Sequence, residues 1–475
     1  MAAIAPEVLD WDVDLPEAGP GIGARAADSS PAERAWWPRG FVEWFVVAQT
    51  AIPALLFLPG TQSVRLPIRV GAYVATLLGL WWWWMCGSPR MVRHPAERWL
   101  WLIGIWLSVM VLHPLTSSLS GGVAQAALYV AVFCGLFWAP SLVPDDRRLV
   151  RILAILLVCN GINAGVGVLQ AYAPDRFMPG QLSFAFTQNR NALAAATYVG
   201  ANGRLIIRPP GLFDTPGAVC GPGTVAAILG LVFALQPLAW WTRLGALASS
   251  AVGLAAIYLS HVRANFVITL GMMAVYATLL GVQRQGKRAA VFGLLSAGTL
   301  VVAFLVSSLV GGESIARRFT TLIAEDPRSL YVTSRGQQLS DSVSALAVEY
   351  PLGAGLARWG MMNGYFGDPA NLDARPMWAE IMPVAWVIDG GLVLMGLYAA
   401  ALAATLRHQW RLVRQLPDDN RGWAAAVVAV NVGTLALVFS FVPFVTQVGL
   451  QFWFLEGALH GALTSGLATR DESTT

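Results

Sequence analysis

Long apolar runs, separated by short polar segments rich in arginine, proline and glycine, set the pattern of this chain. They stand at about 41–59, 68–87, 98–116, 121–140, 149–172, 217–238, 243–261, 264–283, 289–310, 381–405, 422–445 and 447–468. A membrane-spanning helix needs about 20 apolar residues, so the pattern predicts an all-α integral membrane protein with about twelve transmembrane helices. The run from Leu244 to Leu280 must break, since one helix of that length would be about 55 Å long against a hydrocarbon core of about 30 Å. The polar knot His261-Val262-Arg263-Ala264-Asn265 is the expected place.

Composition agrees with the pattern. The 475 residues are 56% hydrophobic and 12% charged, with a mean hydropathy of +0.58. A soluble enzyme and a nucleic-acid-binding module are both excluded by so apolar a chain. The net charge of +4 is modest, and the charges fall between the apolar runs. Residues 1–40 carry Glu7, Asp10, Asp12, Asp14 and Glu17 ahead of any apolar run and read as a disordered tail rather than a secretory signal. Residues 469–475 read as a second tail. The cysteines Cys86, Cys134, Cys159 and Cys220 lie far apart inside or beside apolar runs and read as packing residues. Almost all basic residues are arginine, with Lys287 the single lysine.

The short arginine-bearing loops, around Arg90 to Arg98, Arg147 to Arg151, Arg243, Arg284 to Arg288 and Arg407 to Arg421, all fall on one side. The positive-inside rule makes that side cytoplasmic, with both termini there. The expected division is nine spans over 41–310 with a periplasmic loop at 173–216, a large periplasmic loop at 311–380 holding an amphipathic helix, and three spans over 381–468. Two unequal outer loops, after the fifth and ninth spans, do not match the repeated halves of a transporter and look like a reaction site. The tryptophan run Trp81 to Trp84 is sufficiently explained as an interfacial aromatic belt.

The outer side carries Arg176, Arg190, Arg204, Arg208, Arg263, Arg317, Arg318, Arg328, Arg335, Arg358 and Arg375. Guanidinium stays charged and offers a planar fork of donors, which suits phosphate or diphosphate. Most loop arginines are simply solvated or meet lipid headgroups; three stand out. Arg263 is held between two helix ends at the membrane edge. Arg335 is expected to open a helix capped by Ser334, with Leu339, Val343, Leu346 and Tyr350 on one face and Pro351 ending it. A first-turn arginine opposes the helix dipole unless an anion is bound there. Arg208 precedes the rigid stretch Pro209-Pro210-Gly211-Leu212-Phe213-Asp214-Thr215-Pro216.

Among carboxylates, Asp368, Asp373 and Glu380 match no calcium-loop spacing. Glu380 lies where the chain re-enters the membrane. Partial desolvation there would raise its pKa and suit a general base, and the plainer reading is an interfacial acid paired with a neighbouring arginine. His94 and His408 fall on the cytoplasmic side and His113 and His460 in or near spans, leaving His261 as the one histidine beside the arginines.

From Arg208 to Leu397 the sequence resembles the O-antigen ligase and polymerase superfamily of bacterial membrane glycosyltransferases. The resemblance rests on the Arg208 to Pro216 stretch before a span, Ser260-His261-Val262-Arg263 between two spans, and Ser334-Arg335-Gly336 opening a loop helix that ends at Tyr350-Pro351-Leu352-Gly353-Ala354-Gly355. Asp389-Gly390-Gly391 and Gly396 then match the acid-glycine pattern of the following helix. The resemblance implies a GT-C-type, inverting, metal-independent enzyme of the inner membrane, without cofactor, whose site faces the periplasm. Its donor would be a glycan on undecaprenyl diphosphate and its acceptor a glycan or a lipid, with the bilayer, a flippase and a chain-length regulator as partners and no nucleic acid. Arg263 and Arg335 match the family arginines that hold the diphosphate, with Arg208 and His261 beside them. Glu380 stands where the family has a histidine acting on the acceptor hydroxyl, a departure that favours a polymerase of O-antigen or exopolysaccharide over a ligase. A transporter of an anionic solute is the reading from another class.

Overall fold

The computed structural model describes residues 40–58, 60–86, 93–183, 190–324, 326, 329, 331–415 and 418–471. The acidic tail, Arg90, Arg328 and the side chains of Arg190 and Ser334 lie outside the described residues. The described residues belong to one compact unit, Pro38–Thr475.

Helix dominates. In chain order stand α1 (Phe41–Ala54), α2 (Arg65–Met85), α3 (Glu97–Met110), α4 (Leu119–Phe133), α5 (Gly135–Leu142), α6 (Asp146–Tyr172), α7 (Pro174–Phe177) and α8 (Arg190–Ala195). A two-stranded antiparallel hairpin follows, β1 (Thr197–Val199) and β2 (Leu205–Ile207), with Tyr198 opposite Ile206. Then come α9 (Cys220–Ala234), α10 (Trp240–Ser260), α11 (Arg263–Val282), α12 (Gly286–Gly311), α13 (Glu313–Ala324), α14 (Val343–Glu349), α15 (Gly360–Phe366), α16 (Met382–Gln415), α17 (Asp418–Leu437) and α18 (Gln447–Asp471).

Each of the twelve apolar windows contains a helix. Among the described residues, six helices are long and apolar enough to cross a membrane: the continuous α4–α5 unit, α6, α10, α11, α12 and α16. Three more apolar helices, in α1, α9 and α17, are shorter. The helices outside both groups are short, like α3, or carry polar residues: Arg65 and Arg69 in α2, and Glu456 and His460 in α18.

Local chemistry sets the helix ends. Ser118 caps α4 by accepting from Gly121 N at 2.9 Å, and Asp145 caps α6 by accepting from Arg148 N at 2.7 Å. The break expected at 261–265 is present: His261 ends α10 in the left-handed conformation at φ 56° and Arg263 opens α11. The core is aromatic and interlocked, with Phe45 packed on Trp138 at 5.1 Å and on Phe454 at 5.2 Å between centroids.

Two expectations are corrected. The helix containing Arg335 does not start at Ser334. It is already formed at Tyr331 and passes through two π turns, Val332–Gly336 and Gln338–Ser342, before the α-helical stretch to Glu349. The local resemblance to a capping box is overridden because the preceding residues continue the helix, and Tyr331 anchors it by donating its hydroxyl to Phe439 O at 3.1 Å.

The window at 381–405 is likewise not one regular helix. Within α16, Gly390 and Gly391 leave helical geometry, Gly391 at φ 67°. The freed backbone is satisfied by the segment after α14: Leu392 N donates to Pro351 O at 2.9 Å and Ala354 N to Ile388 O at 2.7 Å. Trp106 Nε1 donates to Gly390 O at 2.9 Å. Asp389, fully buried, accepts from Tyr129 at 2.7 Å, Trp359 Nε1 at 3.0 Å and Gln125 Nε2 at 3.4 Å. A Cβ at Gly391 would collide with Pro351 O and Leu352. The glycine pair and its acid are therefore a docking joint for the segment 351–359.

The two ends of the helix bundle differ in character. The turn after α3 joins the long segment 311–380 through Ser117 N to Leu356 O at 3.1 Å and Asn371 Nδ2 to Ser117 O at 3.1 Å. At the other end, Glu43 of α1, buried among the helices, pairs with Arg148 at 3.1 Å and Arg151 at 3.6 Å.

Gly391→Ala should destabilise the detergent-solubilised protein by about 2 kcal/mol or more, because a left-handed backbone and a close carbonyl both oppose the methyl group. Gly396→Ala, in regular helix with open space around it, should be neutral or slightly stabilising. Thermal unfolding of the two variants side by side checks the joint.

Candidate anion-binding site

The segment 208–219 is bolted onto α6 before any charge is considered. Gln170, fully buried, grips Gly211 at both polar atoms, donating to its O at 2.7 Å and accepting from its N at 2.8 Å. Asn163 Oδ1 accepts from Leu212 N at 2.9 Å. Gly211 sits at φ 67°, and a Cβ there would strike Asn163. Asp214 is held by Arg69 of α2 at 2.6 Å and Arg65 at 3.4 Å. Arg208 itself is fixed through its backbone, with its N donating to Ala196 O at 2.8 Å and its O accepting from Gly217 N at 3.1 Å.

Arg208 thereby lies near the α10–α11 knot, close enough for its charge to act on Arg318 and to feel that of Arg263. Arg318 lies on α13 beside Ile315 and Phe319, which pin that helix to the knot: Phe319 packs on Tyr258 and on Phe266, each at 4.9 Å between centroids. Arg318 Nε donates to His261 O at 3.3 Å. Tyr198 of β1 stacks on His261 at 3.9 Å between centroids, closing one side.

The electrostatics are those of like charges gathered in a half-buried place. Burial, then Arg263 and Arg208, push the Arg318 guanidinium down to about 10. Burial and Arg263 lower Arg208 as well. Burial, followed by Arg208 and Arg318, pushes His261 down to about 4, so its ring is neutral at pH 7. Arg208 Nε and His261 Nε2 are buried with no hydrogen-bond partner. Buried polar atoms without partners are rare in folded proteins. An anion would satisfy both atoms and relieve the repulsion at once.

The other arginines sort differently. Arg358, buried, donates to Ala354 O and Arg375 O at 2.9–3.0 Å and is a structural brace. Arg204 pairs with Asp175 at 2.7 Å and Arg317 with Glu313 at 2.9 Å on the surface. Arg335 forms an ion pair with Glu380, whose backbone N donates to Gln338 Oε1 at 3.3 Å. Glu380 thus has the arginine partner that an interfacial acid is expected to find. Burial lowers Arg335.

Of the residues expected from sequence, Arg208, His261 and Arg263 come together, while Arg335 and Glu380 form a pair of their own. In the sequence Arg318 counts among the outer arginines without being singled out, and Tyr198 is not considered. The signal for Arg318 was available: Ile315 and Phe319, four residues apart, mark a buried face that Arg318 flanks and Arg317 avoids. Tyr198 gave no such signal, because its role depends on a three-residue strand.

A largely apolar cavity of about 120 Å³ is lined by Asn163, Phe213, Asn265, Met272, Thr434 and Phe454 among others. It shares the first turn of α11 and the segment after Arg208 with the arginine site.

No protein-family model and no curated protein matches the chain.

Pyrophosphate should raise the thermal midpoint of the solubilised protein. Arg318→Ala should weaken that binding about tenfold, or about 1.4 kcal/mol, whereas the exposed Arg317→Ala should leave it unchanged; midpoint shifts across a pyrophosphate titration read both. A second expectation concerns acid. The His261 pKa is depressed in the fold, so the unfolded chain binds the extra proton between about pH 6.5 and 4, and stability falls as pH drops through that window, by on the order of 3 kcal/mol from this group. His261→Asn, which tolerates the left-handed backbone, should flatten this part of the stability profile below pH 6.5.

Proposed function

We propose that this protein is a membrane glycosyltransferase of the polymerase type, which takes a glycan from a polyprenyl diphosphate and joins it to an acceptor sugar hydroxyl. The observation that carries the reading is the convergence of Arg208, Arg263 and Arg318 around His261, with two buried polar atoms left for a ligand to satisfy. Three pre-aimed cations suit a diphosphate leaving group, which develops negative charge as the glycosidic bond breaks. The nearby cavity of about 120 Å³ has room for a short stretch of the lipid next to the diphosphate.

In this reading the acceptor oxygen attacks the anomeric carbon, the bond to the diphosphate breaks with inversion, and the diphosphate leaves onto the guanidinium groups. The acceptor proton passes to Glu380 as general base, a contribution worth about 10²–10⁴ in rate. The ion pair of Glu380 with Arg335 gives Arg335 a switching role: donor phosphate competes for the guanidinium and frees the carboxylate to accept a proton. Two arginines expected to act together thus divide their work, Arg263 with the standing cluster and Arg335 through exchange of partners.

The wider assignment goes with this reading: a GT-C-type bundle of about twelve spans in a bacterial inner membrane, both termini cytoplasmic, the site facing the periplasm and no metal in the reaction. The arginine-rich short loops fall at the end away from the long segments, in keeping with that orientation. Transport of an anionic solute gains little support from the buried polar groups. Asn160 donates to Leu156 O at 2.8 Å, Asn163 holds Leu212, and Asp389 accepts three hydrogen bonds, so each is engaged locally.

Arg263→Ala and Arg318→Ala should abolish glycan extension in membranes that still contain the protein. Glu380→Gln should keep donor binding and lose turnover by at least about a hundredfold. Incubation of purified protein with lipid-linked donor alone decides between the two glycan-transfer reactions. A polymerase lengthens the chain, whereas a ligase leaves it unchanged until a lipid or protein acceptor is added, and wild-type chain lengths from Arg263→Ala would sink both.

A further inference from the structure

At the bundle end away from the long segments, three histidines and a glutamate from separate parts of the chain meet. His94 precedes α3, His408 lies near the end of α16, and Glu456 and His460 are one turn apart on α18. One ligand atom from each of His94, His408 and Glu456 lies within 4.8 Å of the others. His94 Nε2 is 2.9 Å from Glu456 Oε1, and His408 Nε2 is 3.0 Å from His460 Nδ1. The three rings stand edge to face, with centroids 4.7–5.1 Å apart. Glu456, His460 and His94 are buried, and His408 is half-buried.

A buried carboxylate is costly unless a positive charge offsets it. Among the described residues the ion-pair partner of Glu456 is His94. The other groups on it are neutral amides, Gln409 Nε2 at 2.5 Å and Asn431 Nδ2 at 3.4 Å. Gln409 and Asn431 are themselves fully buried, and Gln409 Oε1 and Asn431 Oδ1 have no hydrogen-bond partner. The cluster thus combines an anionic oxygen, imidazole nitrogens and two idle amide oxygens, which are the surroundings of a cation.

We propose that His94, His408 and Glu456 bind a divalent transition-metal ion of the Zn²⁺ class, with His460 orienting His408. Two imidazoles and a carboxylate form a ligand set suited to such ions, and a hydrogen-bonded partner behind a ligating histidine is the usual supporting arrangement. Ala96 N lies 3.1 Å from His94 Nδ1, so without the ion the ring proton sits on Nε2, facing Glu456; when the ion takes Nε2 the proton moves to Nδ1 and the Ala96 contact is given up, so that the ring binds as neutral imidazole. Ligand atoms at about 2.0–2.2 Å from one tetrahedral ion stand about 3.5 Å apart, so a movement of roughly 1 Å, with the half-buried His408 ring turning inward, closes the set. The ion clasps α3, α16 and α18 at one end, and two of these helices lead to the Ser117 turn and the Gly390 joint. Its role is structural and independent of the transfer reaction.

The test uses full-length protein purified in detergent without a histidine tag, stripped with chelator and titrated with Zn²⁺ or Co²⁺ alone. One ion per chain by elemental analysis, a Co²⁺ visible absorption band and a Zn²⁺-raised thermal midpoint are expected. His408→Gln should weaken Zn²⁺ binding at least tenfold, while His113→Gln, at the opposite bundle end, should not change it. Glu456→Gln can also disturb packing, so the wild-type Co²⁺ spectrum decides. Its absence, or equal Zn²⁺ affinity in His408→Gln and wild type, overturns the site.

Discussion

Inside an apolar bundle, every interruption of a helix must be met by another part of the same chain, because lipid offers nothing to an unpaired N–H or C=O. This constraint organises the molecule. Where α16 opens at Gly390 and Gly391, residues 351–354 supply the missing partners and Asp389 gathers three donors. Where the chain runs irregularly from Arg208 to Pro216, Gln170 and Asn163 reach out of α6 to hold it. The irregular segments are consequently held in place, and one of them carries Arg208.

Charge is arranged on this frame by opposite rules at different places. Arg69 and Arg65 neutralise Asp214 and Arg358 spends its donors on carbonyls, so these arginines build structure. Arg208, Arg263 and Arg318 lie close enough for their charges to act on one another, an arrangement that disfavours the fold by itself. Stability given up at one location and recovered through ligand is a common property of binding sites. The tight packing of Phe319 against Tyr258 and Phe266 offsets the repulsion that Arg318 brings with it.

Much of the helical framework was legible from apolar run length alone, and the break at His261 followed from an arithmetic limit on helix length. Features governed by distant partners were not. Asp389-Gly390-Gly391 sits in an apolar run whose period continues on both sides, so the opening of α16 depends on residues 351–354 docking there. Ser334-Arg335-Gly336-Gln337 looks like a helix start only if Tyr331 is ignored. Arg318 differs from its neighbour Arg317 only in the face it takes on α13. His94, His408 and Glu456 are separated by 314 and 48 residues, a spacing that no local motif reveals.

The π turns around Arg335 carry a consequence of their own. Each π turn absorbs one surplus residue relative to an α-helix, and a single residue turns an α-helix by about 100°. Removing one uncharged polar residue between Arg335 and Leu339 would restore ordinary winding in one of the two turns without disturbing hydrophobicity or charge. It would also swing Arg335 about the axis relative to Leu339 and Val343, away from Glu380. The aim of that guanidinium is thus encoded in chain length as much as in residue identity, and a deletion too small to harm the helix would silence the pair.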